Sequence, residues 1–288
     1  MAANGVAWQE GYETTPGGRL YWQAWSPARP RAALLLVHGL AEHSGRYAHV
    51  ARRFAACGYA SVGLDYRGHG CSPGPRVHIE SFDAWCDDVA AGLALARRMH
   101  PGLPVVPVGH SQGGLLVLLQ ALRDPDERPC TVVSSPLLGV APPTRPGTAL
   151  RLASRVLLRL APSLLVPNKV NADWLSHDPA VGRAYVDDPL VSHKVSASWN
   201  RALQRAISSA HAQAGRWASP LLVLSSHGDH IVDAQAVAAW VARTPGGTVD
   251  AVYWDDLHHE LFNETRNEEV FAVVEKWLEG RLPPAVQP

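Results

Sequence analysis

The sequence has no excess charge of either sign, and it contains few cysteines. Its 288 residues include 26 Lys and Arg against 26 Asp and Glu, so no overall field would attract nucleic acid. The four cysteines, Cys57, Cys71, Cys86 and Cys130, lie far apart and form no Cys-x-x-Cys pair. We interpret them as isolated buried thiols of a reducing compartment, which predicts neither a disulfide framework nor a zinc site.

Long hydrophobic runs are also lacking. Residues 1–10 contain neither a basic nor an apolar region, which argues against a signal peptide. No uncharged run approaches the ~18 residues that suggest a membrane-spanning helix. There is no internal repeat, and low complexity is limited to the Pro-rich tail at residues 283–288. We therefore expect a soluble, cytoplasmic protein with one large domain, since the 47% of hydrophobic residues is ample for a core.

The most informative stretch runs from residue 105 to residue 122. Residues 105–108 are apolar and predict a buried strand, and residues 115–122 predict a helix buried on all sides. Between them, Gly109-His-Ser-Gln-Gly113 matches the Gly-x-Ser-x-Gly turn called a nucleophile elbow. Such a turn strains the serine backbone, and its glycines let the helix and the strand approach closely. Ser111 is the predicted nucleophile, and the backbone N–H of Gln112 is a predicted oxyanion donor.

Strands and helices alternate on both sides of this elbow. Residues 6–13 and 19–25 predict a hairpin, and Thr265 with Glu268 predicts a capping box for a closing helix that ends at Gly280. Further apolar runs predict buried strands at residues 32–37, 59–65, 130–134, 221–225 and 249–254. The alternation indicates an α/β protein with a mainly parallel sheet covered on both faces. Together with the elbow it predicts the α/β-hydrolase fold.

The alternation breaks between residues 135 and 219, where the sequence has no obvious strand. We interpret residues 138–198 as an inserted helical lid, residues 1–137 and 199–282 as the core, and residues 283–288 as a tail. Within the lid, residues 150–165 predict a Leu-rich helix with Arg151, Arg155 and Arg159 in one row. This helix either packs on the core with solvated arginines or contacts a membrane or micelle transiently, with arginines at the head groups.

The elbow serine needs a histidine to take its proton and a carboxylate to hold that histidine. In this fold the acid and the histidine follow the serine in the chain, each just beyond a strand. Asp229 directly follows the strand at residues 221–225, whereas Asp233 is better explained as a helix cap. Asp229 is therefore the predicted acid. Beyond the last strand, His258 and His259 are both candidates for the base, and spacing alone does not choose between them.

Other chemistries fit these residues less well. A metal cluster is disfavoured because the serine already needs Asp229 and one histidine, and because no helical His-x-x-x-His pair is present. No Gly-rich loop ends in Lys-Ser or Lys-Thr, so nucleotide binding is excluded. Ser111 at the elbow excludes an aspartate nucleophile. We expect no metal and no cofactor. The residues considered as metal ligands are His227, Asp229, His230, His258, His259 and Glu260.

Four motifs carry a resemblance to a known family. They are His38-Gly-Leu-Ala-Glu-His-Ser-Gly-Arg-Tyr47, Leu64-Asp-Tyr-Arg-Gly-His-Gly70, Gly109-His-Ser-Gln-Gly-Gly114 and His259-Glu-Leu-Phe-Asn-Glu264. The sequence resembles the monoacylglycerol lipase family, the lysophospholipase-like "serine aminopeptidase S33" hydrolases. The likeness runs from about residue 10 to 280 and includes Asp188-Pro-Leu190.

The resemblance implies roles for particular residues. The catalytic histidine of the family directly precedes the Glu-Leu stretch, which selects His259, and the first oxyanion donor becomes the backbone N–H of Leu40. Glu42, Arg46 and the lid residue Tyr185 would line the glycerol end. The chain departs from the family pattern at two positions. Gln112 stands where Met is common, which matters little because the backbone donates, and Phe262 stands where some members have a second histidine.

The function implied by this resemblance is cleavage of a carboxylic ester. The expected reaction converts a monoacylglycerol to glycerol and a fatty acid through an acyl-enzyme, so the expected partner is a small lipid ester. A lysophospholipase or a broad carboxylesterase with the same triad is the nearest alternative. A ligand-binding protein without catalysis on the same scaffold is a further alternative, and it would have no need of all three triad residues.

Overall fold

The computed structural model describes residues 5–125, 128–144 and 161–284. Its strands are β1 (Val6–Thr15), β2 (Gly18–Pro27), β3 (Ala32–Val37), β4 (Tyr59–Leu64), β5 (Val105–His110), β6 (Thr131–Ser134), β7 (Leu165–Pro167), β8 (Lys194–Ser196), β9 (Leu221–Ser226) and β10 (Val249–Trp254). Its α-helices are α1 (Ala48–Ala56), α2 (Asp83–Met99), α3 (Gln112–Arg123), α4 (Pro179–Asp187), α5 (Ala197–Gln213), α6 (Ala234–Val241) and α7 (Asn267–Glu279). Short 3-10 helices lie at Ser44–Tyr47, Pro142–Thr144, Ala172–Trp174, Ala214–Arg216 and Leu261–Asn263.

Eight of the strands form one sheet in the order β1-β2-β4-β3-β5-β6-β9-β10. The hairpin of β1 and β2 is antiparallel, as is the pairing of β2 with β4, and the remaining pairs are parallel. The predicted hairpin and strands are confirmed, with bounds that differ by a few residues. Because parallel strands all end at the same edge, the loops after β3, β5, β9 and β10 meet there.

Helices cover both faces of this sheet, because the central strands are apolar on both sides. In β3, Leu35 packs into the core beneath α2, α3, α5 and α6, whereas its neighbours Leu34 and Leu36 pack beneath α1 and α7. Every residue of β3, β4, β5 and β9 is buried. Full burial of such a side chain stabilises the fold by about 1.5–3 kcal/mol. The mainly parallel α/β-hydrolase fold predicted from the sequence is confirmed.

Two predicted helix caps have different outcomes. Asp233 caps α6, since its carboxylate accepts a hydrogen bond from the N–H of Gln235 at 3.0 Å. The capping box at the start of α7 is wrong, because the cap residue is Arg266 and no side chain bonds there. Glu268 instead lies 3.4 Å from the guanidinium of Arg53 on α1. A cation on a neighbouring helix has replaced the local partner. The helix itself ends at Gly280 as predicted.

The region between β6 and β9 contains elements that the sequence did not mark. Strands β7 and β8 form a separate antiparallel pair, and α4 lies between them in the chain. The predicted helix at residues 150–165 is wrong at its end, since residues 161–164 form a turn and Leu165 begins β7. Pro162 has no N–H for a helical hydrogen bond, which accounts for this end. Residues 145–160, with Arg151, Arg155 and Arg159, lie outside the described residues.

The described ranges contain no helix with the length and hydropathy needed to cross a bilayer. All four cysteines are free, but they are not all buried as predicted. Cys86 and Cys130 are buried, Cys57 is half-buried and Cys71 is exposed. Cys71 follows β4 in the turn-rich loop at residues 66–72, where it faces solvent because the buried contacts of that loop are made by its neighbours Tyr66, His69 and Ser72.

Candidate active site

Ser111 occupies a strained turn between β5 and α3. Its backbone angles are φ 52° and ψ −118°, a region that residues with a side chain rarely adopt. A Cβ atom added to Gly109 would lie 2.6 Å from the carbonyl oxygen of Gly113, and one added to Gly113 would collide with the backbone of Val37. The predicted strain at the serine and the need for both glycines are confirmed.

The structure brings His259 and Asp229 to this serine. Nε2 of His259 lies 2.9 Å from the hydroxyl oxygen of Ser111, and Nδ1 lies 2.7 Å from Oδ2 of Asp229. The other carboxylate oxygen of Asp229 accepts hydrogen bonds from the N–H groups of Ile231 and Val232 at 2.8 and 2.9 Å. These two bonds hold the carboxylate so that its free oxygen faces the imidazole.

His258 does not reach the serine. Its ring stacks on that of His177, with 3.8 Å between the ring centres, and its backbone N–H donates to Glu264. Consecutive residues after a strand point in different directions, so only one of the two histidines can face the elbow. Of the two histidines between which spacing did not choose, His259 is the one that faces Ser111.

The charges around His259 favour the tautomer whose unprotonated nitrogen, Nε2, faces Ser111. Burial acts to lower the pKa of His259, but the carboxylate of Asp229 outweighs it, so the pKa lies above the ordinary 6.5. Burial acts to raise the pKa of Asp229, but the charge and hydrogen bond of His259 bring it below the ordinary 3.8. A carboxylate only accepts, so it fixes the proton on Nδ1 and leaves the lone pair of Nε2 for the hydroxyl of Ser111.

Leu40 and Gln112 lie on the two loops that flank the serine. Leu40 follows Gly39, and a Cβ atom added to Gly39 would lie 3.3 Å from the Cβ of Ser111. The loop after β3 therefore passes directly beside the nucleophile. Gln112 is the first residue of α3, so its N–H has no acceptor within the helix and lies at the positive end of the helix dipole.

Glu42 and Arg46 belong to a buried charge network that also includes Glu260. Oε1 of Glu42 accepts hydrogen bonds from the N–H of Gly39 at 2.5 Å and from the hydroxyl of Tyr47 at 2.7 Å. Its other oxygen accepts from Arg46, which also donates two bonds to Glu260 at 2.7 and 2.9 Å. Burial acts to raise the pKa of Glu42, but the charge of Arg46 prevails and lowers it to about 2.

The sequence analysis considered Glu260 only as a metal ligand. It missed the pair of hydrogen bonds that the two carboxylate oxygens of Glu260 accept from Arg46. Its position directly after His259 was the available signal.

Tyr185, on α4, is 3% exposed, and the guanidinium of Arg46 lies 5.1 Å from the centre of its ring. Phe262 is buried and packs against Phe54 and Phe271 in the core. Glu42, Arg46 and Tyr185 are therefore brought together.

The residues considered as metal ligands have other partners. Asp229 and His259 bond each other, Glu260 bonds Arg46, and His227 stacks on Tyr253. In the part of the chain that the structure describes, one group of three could hold an ion, formed by His177, His258 and Glu264. The three possible ligand atoms lie within 4.8 Å of one another. Glu264 already accepts four hydrogen bonds, from His177, His258 and Thr265.

Comparison with known proteins agrees with this arrangement of loops and strands. The family described as "Serine aminopeptidase, S33" matches residues 28–266. The chain belongs to this family. A curated relative, the monoacylglycerol lipase of Mycolicibacterium smegmatis, is 36% identical over 92% of this chain and 95% of its own length. Phospholipase YtpA of Bacillus subtilis is 34% identical over 86% of this chain and 95% of its length.

A solved structure shares the fold. The chain is similar to the crystal structure of Paleococcus ferrophilus monoacylglycerol lipase, with 28% sequence identity and a TM-score of 0.81. That likeness covers 91% of this chain and 99% of the solved one. A TM-score of 0.81 over that share of both chains shows that the two proteins have the same fold.

Proposed function

We propose that this protein is a serine esterase that hydrolyses monoacylglycerols through an acyl-enzyme. One observation carries the proposal, the buried hydrogen-bonded series of Ser111, His259 and Asp229 at a strained turn. The choice of substrate class is supported by the 36% identity to a relative named monoacylglycerol lipase.

In the first half of the reaction, the hydroxyl of Ser111 attacks the ester carbonyl while Nε2 of His259 takes its proton. Asp229 stabilises the imidazolium that forms, since its charge favours the protonated ring. The imidazolium then protonates the alcohol oxygen, the C–O bond breaks, and glycerol leaves. In the second half, water gives a proton to Nε2 and attacks the acyl carbon. The proton returns to Ser111 as the fatty acid leaves.

The negative charge of each tetrahedral intermediate is stabilised by the backbone N–H groups of Leu40 and Gln112. Each donor of this kind contributes about 3 kcal/mol to the transition state. The strained turn at Ser111 and the close approach of Gly39 support this role, because they place the peptide before Leu40 and the start of α3 beside the nucleophile.

At the head-group end, we assign the glycerol contacts to Arg46 and Tyr185. Glu42 already accepts hydrogen bonds from Gly39, Tyr47 and Arg46, which uses its stronger acceptor positions. Its role is to hold Arg46 and the Gly39 loop beside the substrate. A neutral diol accepts hydrogen bonds from a guanidinium without needing a counter-ion, which suits this network.

We interpret residues 138–198 as a lid above this site that contacts membranes or micelles transiently. Leu164 and Leu165 support this interpretation, since they are 42% and 47% exposed. Exposed apolar side chains of this size are suited to a lipid surface. Trp174 and Leu175 tie the same region to the site, because their carbonyl oxygens accept the N–H groups of His259 and Glu260.

A lysophospholipase is the second candidate, favoured by the 34% identity to a relative named phospholipase. The two activities share the acyl chain and differ in the leaving group. A panel of monoacylglycerols, diacylglycerols, triacylglycerols and lysophospholipids with one acyl chain separates them. We expect the highest kcat/KM on monoacylglycerol. A preference for lysophosphatidylcholine would overturn the choice of leaving group and keep the esterase.

The catalytic proposal itself is tested at the nucleophile. Ser111→Ala is expected to lower kcat on p-nitrophenyl butyrate by at least ~10⁴ and to abolish labelling by a fluorophosphonate, because within the described ranges Ser111 is the hydroxyl that bonds a histidine held by a carboxylate. Ser208→Ala, which removes an exposed hydroxyl of α5, is the matched control and should leave both unchanged. A Ser111→Ala variant with a tenth of the parent rate rules out the assignment, and a parent chain that is not labelled supports a binding protein without catalysis.

A further inference from the structure

A series of buried hydrogen bonds connects α5 to the loop after β3. The indole N–H of Trp199 donates to Oε1 of Gln112 at 2.7 Å. Nε2 of Gln112 donates to the hydroxyl of Tyr66 at 3.0 Å, and that hydroxyl donates to the carbonyl oxygen of Gly39 at 2.7 Å. The side chains of Trp199, Gln112 and Tyr66 are all buried.

The direction of every bond in this series follows from its first donor. An indole N–H can only donate, so the carboxamide of Gln112 must turn its oxygen to Trp199. Its NH₂ group then faces Tyr66, whose single proton is left for Gly39. The carbonyl oxygen of Gly39 also lies 2.9 Å from Nδ1 of His38, which must carry a proton to bond it. The carbonyl oxygen of His38 is a second, more distant acceptor for the hydroxyl of Tyr66, at 3.4 Å, so the shorter bond to Gly39 sets the orientation of the series.

The carbonyl at the end of this series belongs to the peptide group that carries the proposed oxyanion donor. The C=O of Gly39 and the N–H of Leu40 are parts of one planar unit, so fixing one atom fixes the other. A carbonyl that accepts hydrogen bonds also polarises its own amide, and this cooperativity strengthens the hydrogen bond that the N–H donates by roughly 10–30% per bond. The N–H of Gly39, on the other side, is held by Glu42.

We propose that the side chain of Gln112 is a positioning group that aligns both oxyanion donors. Its own backbone N–H is one donor, and through Tyr66 it orients the peptide that carries the other. This inference rests on the proposed serine esterase site and goes beyond it. It replaces the expectation that a residue other than Met at this position matters little, since the amide side chain makes two buried hydrogen bonds that methionine cannot make.

The series also connects the oxyanion donors to the chain beyond the lid. Trp199 lies in the first turn of α5, three residues after β8, and the hydroxyl of Ser196 caps this turn by accepting from the N–H of Trp199. A displacement of this turn would therefore move the side chain of Gln112 directly, through the hydrogen bond of Trp199, without a direct contact to Ser111 through this series. The hydrogen bonds among Ser111, His259 and Asp229 do not include any side chain of this series. The triad and the oxyanion donors can therefore be tested separately.

The test compares Gln112→Met, Tyr66→Phe and the double variant on p-nitrophenyl butyrate. Methionine fills a similar volume without the amide, and phenylalanine removes one hydroxyl. We expect each single variant to lower kcat about 10-fold with KM changed less than twofold, because the donors act on the transition state. The double variant should fall no further than about 10-fold, since both changes break the same series.

A transition-state analogue separates positioning from a general loss of structure. A trifluoromethyl ketone adds to the serine and places an oxyanion in the hole, so its Ki should rise by the factor by which kcat/KM falls. Gln120→Met is the matched control, because Gln120 is a buried glutamine on the same helix, hydrogen-bonded to Arg128 at 2.8 Å. It should change stability without changing kcat or Ki.

Three results would overturn the inference. They are a kcat within twofold of the parent in both single variants, multiplicative effects in the double variant, or an unchanged Ki. Should Gln112→Met fail to fold, Trp199→Phe removes the distant N–H together with part of the ring and is expected to lower kcat about threefold. Inactivity of the parent on monoacylglycerol alone would overturn the proposed substrate and not this inference. A parent inactive on both esters would overturn the site and the inference together.

Discussion

At the scale of single residues, the pKa of His259 determines where on the pH axis the enzyme works. The base accepts a proton only when neutral, and Asp229 raises its pKa above the ordinary 6.5 although burial opposes this. The acid limb of kcat/KM should therefore have its midpoint above ~6.5. Activity is lost below that midpoint and is complete above it. A pH profile with p-nitrophenyl butyrate measures the midpoint.

Replacing Asp229 tests the cause of this shift. Asp229→Asn keeps the size of the side chain and removes its charge, so kcat should fall by ~10⁴. The residual acid limb should move to lower pH, because burial lowers the pKa of the imidazole and the largest opposing charge, that of Asp229, is gone. An acid limb that stays at the parent position would show that another group carries it.

The paired histidines provide a second test at this scale. His259→Ala should lower kcat by ~10⁴ or more, because the serine loses its base. His258→Ala should keep most of the activity, since its ring stacks on His177 and has no contact with Ser111 in the described residues. The rates of the two variants on one short ester decide the matter. The reverse order would transfer the base to His258.

At the scale of secondary-structure elements, Arg46 joins the loop after β3 to the loop after β10. Its guanidinium contacts the carboxylates of Glu42 and Glu260, and the side chains of all three are at most 10% exposed. Arg46→Met leaves two buried carboxylates facing each other, which should cost about 3–5 kcal/mol of unfolding free energy. Urea denaturation at pH 7 measures the loss.

The same variant should show a characteristic dependence on pH. In the parent, Arg46 keeps the pKa of Glu42 at about 2, so its contribution to stability is complete above the unfolded value and is lost only as the pH falls toward 2. In Arg46→Met, protonation relieves the repulsion. The difference in Tm between parent and variant should therefore shrink from pH 7 to pH 4. Arg53→Met, a more exposed arginine on α1, is the control and should show a smaller loss.

The lid provides the other prediction for an element. Leu164→Asp puts a charge beside the start of β7, and we expect kcat/KM on a long monoacylglycerol to fall several-fold more than on p-nitrophenyl acetate. The reason is that Leu164 is an exposed apolar side chain of the proposed lid, and only the long ester reaches the enzyme from a lipid surface. Trp8→Asp, an exposed position on the edge strand β1, is the matched control. Equal losses on both esters would contradict a role for Leu164 at that surface.

At the scale of the whole molecule, the fold determines which thiols can react. Burial raises the pKa of Cys71, and it raises the pKa of both Cys86 and Cys130 to about 12. Of these three, Cys71 is exposed and the other two are buried. Because the thiolate is the reactive form, iodoacetamide at pH 8 should modify Cys71 first and should reach Cys86 and Cys130 only after denaturation. Mass spectrometry of the peptides measures the order. Early modification of Cys130 would indicate that β6 opens in the native state.

The sequence by itself determined the parts of the protein that depend on local pattern. Apolar runs of four to six residues mark strands, and the turn at Gly109–Gly113 marks the nucleophile, because strand periodicity and backbone strain are properties of neighbouring residues. Asp229 could also be chosen from its place directly after a strand. The predicted capping box at Thr265 was wrong because it depends on more than neighbouring residues. Arg53, on another helix, contacts Glu268.

The tertiary structure alone decided which side chains meet. Gln112 forms hydrogen bonds with Tyr66 and Trp199, which lie 46 and 87 positions away in the sequence. Arg46 bonds Glu260, which lies 214 positions away. The order of strands in the sheet sets such partners, and no local pattern encodes that order. It also decided that His259, and not His258, faces Ser111, because the choice depends on how one loop leaves β10. Local chemistry thus identified the reacting groups, whereas long-range packing determined their orientation.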